Sequence, residues 1–144
     1  MKIADILHSK GHDVVTIGPE RSVADAVRLL VEHRIGAVVV VERAEIQGIL
    51  SERDILNLAD QDPGRLKLLR VGEVMTRELV VGLAEDEIDY VMQILTQNRI
   101  RHLPIVDDGH LIGIVSIGDV VNALRSGLEA ENRYLREYVQ GAFS

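Results

Sequence analysis

The chain has 144 residues, of which 47% are hydrophobic and 27% charged, with a net charge of −7 and neither cysteine nor tryptophan. This is globular composition with room for one core or two small halves, and no apolar run reaches the roughly 18 residues of a membrane helix. Disulfides are excluded, and without clustered Lys/Arg and stacking aromatics neither nucleic acid nor a membrane is an expected partner.

The opening "MKIADILHSKGHD" lacks the apolar core of a secretory signal, so a cytoplasmic location is expected. "VVTI" then reads as a short strand, and Val23, Ala26, Val27 and Leu30 recur at helical spacing behind Ser22, a helix start. "GAVVVV" and "IQGIL" read as strands joined by the turn "ERAE", and a second helix begins directly at Ser51. The segment "DQDPGRLKLLRVGEVMT" is a link, with Pro63-Gly64 as a turn and "RVGEVM" leading onward. After it come a strand in "LVVGL", a helix behind Glu87 carrying Ile88, Val91, Met92 and Leu95, strands "RHLPIV" and "LIGIV" around the turn "DDGH", and a helix from Ser116. In "LEAENRYLREYVQGAFS", Leu128, Leu135, Tyr138 and Val139 keep near-helical spacing and Gly141 reads as a stop, which predicts a C-terminal helix docked on a partner subunit or on the protein's own core.

Residues 14–59 align without a gap on residues 79–124, and identities concentrate in "GILSERDILN" against "GIVSIGDVVN". The chain is an internal duplication of a β-α-β-β-α unit. A unit of this size cannot bury a sheet face and a helix face alone, so two copies are expected to pack as a pseudo-twofold α+β structure. The expected boundaries are 1–66 for the first repeat with its N-terminal segment and linker, 67–127 for the second, and 128–144 for the helical tail.

The repeated Ser-x-x-Asp admits two readings. It is a helix cap, in which the serine oxygen accepts the amide of the third helical residue. It is also suited to a ligand: a carboxylate at a helix N-terminus can accept both hydroxyls of a ribose while the serine hydroxyl and free helix amides face a phosphate. The two are compatible.

"RIRHLPIVDDGHLIGIVSIGD" resembles the CBS-domain family, whose members pair as the Bateman module, and the resemblance covers nearly the whole chain. It implies two units packed through their sheets, with clefts between them for adenosine-containing ligands such as AMP, ADP, ATP, NAD or S-adenosylmethionine, with Mg possible alongside a nucleotide. On that resemblance the ribose-binding aspartates are Asp54 and Asp119 and their hydroxyl partners Ser51 and Ser116. Ile35, Gly36, Ile100, Arg101 and His102 wall the clefts, and Ile49 and Ile114 contact adenine. Arg53 resembles a phosphate-contacting arginine and Thr76 a nucleotide-contacting position, where the N-terminal segment has His8 or Ser9. Gly118 stands in the place of Arg53, so unequal clefts are expected, with His102 or Arg101 supplying charge. The resemblance also implies a homodimer and an unidentified regulated protein.

No catalytic arrangement is legible: Ser51 and Ser116 lack a neighbouring histidine base, and the glycines form neither a Walker loop nor a dinucleotide fingerprint. The five histidines are scattered and no cysteine joins them, so no metal site is expected. The expectation is a non-enzymatic regulatory module that binds adenine nucleotides and signals through conformational or assembly change. The alternative is a structural or interaction module whose clefts have lost ligand dependence.

Overall fold

In the computed structural model the backbone is described for residues 1–143 and side chains for 1–127, 133, 135 and 136. The order is α1 (Ile3–Lys10), β1 (Thr16–Ile17), α2 (Val23–His33), β2 (Ala37–Glu42), β3 (Glu45–Ser51), α3 (Glu52–Gln61), α4 (Val71–Val74), β4 (Gly82–Leu83), α5 (Ile88–Gln97), β5 (His102–Asp107), β6 (His110–Ser116) and α6 (Ile117–Phe143). Pro63–Lys67, read from sequence as a turn, winds into a short 3₁₀ segment that Asp62 caps by accepting the Gly64 amide.

Each unit builds a three-stranded sheet in which the first strand runs parallel to the second and the second antiparallel to the third. The β2–β3 turn has Arg43 and Ala44 at φ 52° and 66°, and the β5–β6 turn has Asp108 and Gly109 at 50° and 78°. Two successive positive φ angles mark the two-residue hairpin turn whose twist matches its strands. Ser22 caps α2 by accepting the Asp25 amide, whereas Glu87 starts α5 without a side-chain cap.

Val38 and Val40 of β2 belong to the first core with Val23, Ala26 and Leu30, while Leu103 and Ile105 of β5 belong to the second with Ile88, Val91 and Leu95. Alternation along β2 turns Ala37 and Val39 the other way: both are buried yet belong to neither core, on the side where β3 packs against β6. The two sheets therefore share a third buried layer.

Packing crosses the order of the chain. From sequence no helix is assigned before residue 14, yet α1 buries Ile3, Ile6 and Leu7 in the core of the second unit, and α4 buries Val71, with Met75 just beyond it, in the core of the first. Matching backbone bonds hold the exchange: Ile3 N–H donates to Asp86 O and Ile88 N–H to Met1 O, as Val71 N–H donates to Arg21 O and Val23 N–H to Leu69 O. Residues 1–10, grouped with the first repeat along the chain, thus pack on the second.

The C-terminal segment continues α6 without a break through Phe143, so Gly141 is not the stop. A single glycine inside a helix costs only about 1 kcal/mol relative to alanine, too little to force termination. Leu135 is exposed; the side chains of Leu128, Tyr138 and Val139 lie outside the described residues, and with them the expected docking.

Candidate functional site

Both serine–aspartate motifs form caps. At α3 the Ser51 amide and hydroxyl each donate to Asp54 Oδ2 at 3.0 Å, and the Asp54 amide returns a bond to Ser51 Oγ at 3.3 Å. At α6 the Ser116 amide donates to Asp119 Oδ2 at 2.9 Å and the Asp119 amide to Ser116 Oγ at 3.1 Å. The first amide of each helix is also engaged, Glu52 N–H with Gly36 O and Ile117 N–H with Arg101 O. Among the described residues, the Arg53 amide is left free at the start of α3. The cap accounts for the pattern but leaves Asp54 Oδ1 without a donor among the described residues.

A cavity of about 370 Å³ opens beside that cap, lined by Gly36, Ile49, Ser51, Glu52, Arg53, Asp54, Leu56, Thr76, Arg99, Ile100, Arg101 and His102. Nine of these are the sequence-derived candidates Gly36, Ile49, Ser51, Arg53, Asp54, Thr76, Ile100, Arg101 and His102. The floor comes from β3 and α3 of the first unit and the wall from the residues entering β5 of the second. Arg53, Arg99 and Arg101 share the lining with Glu52 and Asp54, although no ion pair joins them among the described residues, and Ile49 supplies an apolar surface. Thr76 is positioned by a two-way backbone bridge: Ile49 N–H donates to Thr76 O at 3.0 Å and Thr76 N–H to Ile49 O at 2.9 Å. Such a cleft suits a flat apolar ring joined to a hydroxylated, anionic group.

The second cavity, about 330 Å³, is lined by Lys10, Asp13, Val14, Val15, Arg34, Ile35, Gly36, Ala37, His102, Ile114 and Ser116. It contains the expected Ile35, Gly36, His102, Ile114 and Ser116. Asp119 is absent from its lining and faces a neighbouring depression with Lys10 and Asn122. The Lys10 ammonium lies between, donating to Asp119 Oδ2 at 2.6 Å and Ile114 O at 2.8 Å. Burial raises the Asp119 pKa, but the Lys10 ammonium and the Ser116 amide and hydroxyl outweigh it and hold the carboxyl below its ordinary value.

Gly36 and His102 line both cavities. A Cβ at Gly36 would stand 2.9 Å from His102 Nε2, so the glycine is what lets the ring lie against the backbone there. Burial, with Lys10 and Arg101 nearby, pushes the His102 pKa down against the pull of Glu52 and Asp119.

Sequence reasoning missed Lys10, Arg34 and Arg99. The two arginines close α2 and α5 in left-handed backbone at φ 54° and 53°, an uncommon state for a non-glycine residue. Their repetition at equivalent positions was the available signal. The motif glycines have a packing cause: a Cβ at Gly48 would lie 2.6 Å from the Thr76 carbonyl oxygen, and one at Gly113 would lie 2.7 Å from Leu7 Cδ2. Among the described residues, no group of three or more His, Cys, Asp or Glu could hold a metal, and no helix is long and apolar enough to cross a membrane.

The family model described as the CBS domain matches twice, at residues 3–60 and 71–126. The mitochondrial CBS domain-containing protein CBSX3 of Arabidopsis thaliana is 37% identical over 98% of this chain and 73% of its own length. Inosine-5'-monophosphate dehydrogenase of Methanocaldococcus jannaschii is 29% identical over 90% of this chain, but over 25% of the enzyme. The crystal structure of the CBS-domain containing protein ATU1752 from Agrobacterium tumefaciens superposes with a TM-score of 0.82 at 39% identity, covering 85% of this chain and 98% of that one. A CBS domain pair solved in complex with 5'-methylthioadenosine and S-adenosyl-L-methionine shares the fold with a TM-score of 0.78 at 23% identity.

Proposed function

The chain belongs to the CBS-domain family as a tandem pair, and from that premise we propose that it is a non-enzymatic regulatory module whose first cleft binds an adenine nucleotide. The observation that carries this reading is the convergence on one cavity of Asp54, with one carboxylate oxygen free of its cap, three arginines and the apolar Ile49. Asp54 takes the ribose hydroxyls, Ile49 and Ile100 flank the base, and Arg53 with its free amide takes the phosphate; Ser51 acts mainly by holding Asp54, since its hydroxyl is spent on the cap. The solved pair carrying two adenosine compounds supports this class of ligand. AMP, ADP, ATP and NAD fit the charge of the cleft better than cationic S-adenosylmethionine, and Mg enters only with a polyphosphate.

Because the cleft wall comes from one unit and its floor from the other, a ligand stabilises the arrangement that brings both into contact, and the module signals by that shift. We place it in the cytoplasm as a homodimer acting on a separate regulated protein. The exposed apolar residues Leu56 on α3 and Val121 on α6, at equivalent repeat positions, offer a two-part surface for self-association.

The test is a thermal-shift panel of AMP, ADP, ATP, NAD and S-adenosylmethionine on nucleotide-free protein and on Asp54→Ala. At a hundredfold excess over Kd, linkage gives about 2.7 kcal/mol, or on the order of 5–10 °C in Tm. The reading requires a shift with at least one phosphate-bearing ligand that Asp54→Ala reduces, leaving at most the share contributed by the second cleft. A flat panel would leave the ligand-independent interaction module in its place.

A further inference from the structure

The two clefts differ at a point the duplication does not explain. Helix α4 ends at Val74 and the chain then extends, so that Thr76 forms its backbone bridge with Ile49. Helix α1 has eight residues to the four of α4 and runs on to Lys10. Since Ile3, Ile6 and Leu7 fix α1 in the second core, the added turn carries Lys10 over the junction of β6 and α6. The Ile114 carbonyl, equivalent to the Ile49 carbonyl that Thr76 N–H occupies, is taken by the Lys10 ammonium instead, and His12 Nδ1 lies 3.0 Å from Ile112 O.

Lys10 is therefore a partition. On one side it lines the second cavity with Ile114 and Ser116, and on the other a depression containing Asp119. Asp54, the equivalent carboxylate, opens directly into its cavity and is met by no ammonium among the described residues. The Lys10 side chain is 36% exposed and that of Asp119 25%, so solvent screens the pair only in part.

We infer that Lys10 gates the second cleft, admitting adenosine compounds that carry an anionic group and excluding neutral nucleosides. This rests on reading the two aspartates as ribose sites. Asp119 Oδ1, like Asp54 Oδ1, has no donor among the described residues, but the ammonium stands between the carboxylate and the second cavity, so a ribose entering from that cavity must displace it. A neutral nucleoside leaves that cation without its counter-charge beside Arg34, a second cation of the same cavity, with only the exposed Asp13 at the rim. A phosphate replaces the lost carboxylate, and Lys10 passes from Asp119 to the ligand. The first cleft demands no such exchange, so a neutral nucleoside meets no gate there.

The test uses full-length protein carrying Asp54→Ala, so that the second cleft alone reports, titrated calorimetrically with AMP and with adenosine. AMP should bind at least about tenfold more tightly than adenosine, the size of one lost charge-assisted contact. Adding Lys10→Met should bring the two ligands together chiefly by strengthening adenosine, whereas Lys10→Arg should keep the preference; melting curves show that each variant is folded. An unchanged AMP-to-adenosine ratio in Lys10→Met overturns the gate while leaving untouched the binding of nucleotide by the first cleft of wild type. Loss of all AMP binding with Asp54→Ala, not restored by Lys10→Met, overturns it also. Failure of wild type to bind any nucleotide removes the proposed function itself, and the gate with it.

Discussion

The imidazole of His102 lies against the backbone of Gly36, and these two residues, one from each unit, line both clefts. A ligand in either proposed cleft would therefore bear on a shared contact, and burial favours the neutral ring. Because the folded-state pKa of His102 is depressed, its contribution to stability is present above the unfolded value of about 6.5 and is lost as pH falls through the lower folded one. Urea denaturation at pH 7.5 and 5.5 should show wild type losing more stability than His102→Asn, which cannot titrate. Equal losses would show that the ring carries no penalty for charging.

Gly36→Ala should push the His102 ring aside and weaken ligand binding in both clefts, because the added Cβ would stand 2.9 Å from Nε2. A flexible ring can yield, so the fold should survive with a small change in Tm. The same substitution at Gly48 meets a backbone carbonyl 2.6 Å away, which has no such freedom. Gly48→Ala should cost about 1–3 kcal/mol, read by chemical denaturation.

Leu7→Ala should destabilise the second unit by about 2–5 kcal/mol, the range for emptying a buried leucine site. Leu7 is 1% exposed and lies in that unit's core, although it is more than seventy residues away in sequence. Hydrogen exchange should show the lost protection on α5, β5 and β6 rather than on α2 and β2. Loss concentrated on α2 would contradict the exchange of segments.

Ala44→Gly should stabilise by about 0.5–1 kcal/mol, since Ala44 holds φ 66° in the hairpin turn where glycine carries no steric penalty. The thermal midpoint checks it.

Arg53→Ala should weaken AMP in the first cleft by roughly tenfold, the worth of one hydrogen bond to a charged group. Adenosine affinity should stay unchanged, and calorimetry on the Asp119→Ala background isolates the effect. A matching loss for adenosine would place Arg53 at the base or ribose.

Most of the repeat could be read from sequence because its signals are local. Val23, Ala26 and Leu30 repeat at helical spacing, β-branched residues mark β2, and Ser51 and Ser116 cap helices. The exchange of α1 and α4 was hidden because Ile3, Ile6 and Leu7 announce an apolar face without saying which sheet it covers, a choice made by tertiary pairing. Lys10 was hidden for the same reason: a lysine near a helix end becomes part of a cleft only once that helix crosses to the other unit. The first cleft was legible because both of its walls belong to repeated motifs. The second was obscured by a turn of helix outside the repeat.

The most direct measurement is calorimetric titration of nucleotide-free wild type and Asp54→Ala with AMP, ATP and NAD at matched protein concentration. The account predicts saturable binding by wild type of at least one of the three, with the first-cleft component lost in Asp54→Ala while its melting temperature without ligand stays close to that of wild type. Binding that is absent for all three, or identical in the two proteins, would contradict it.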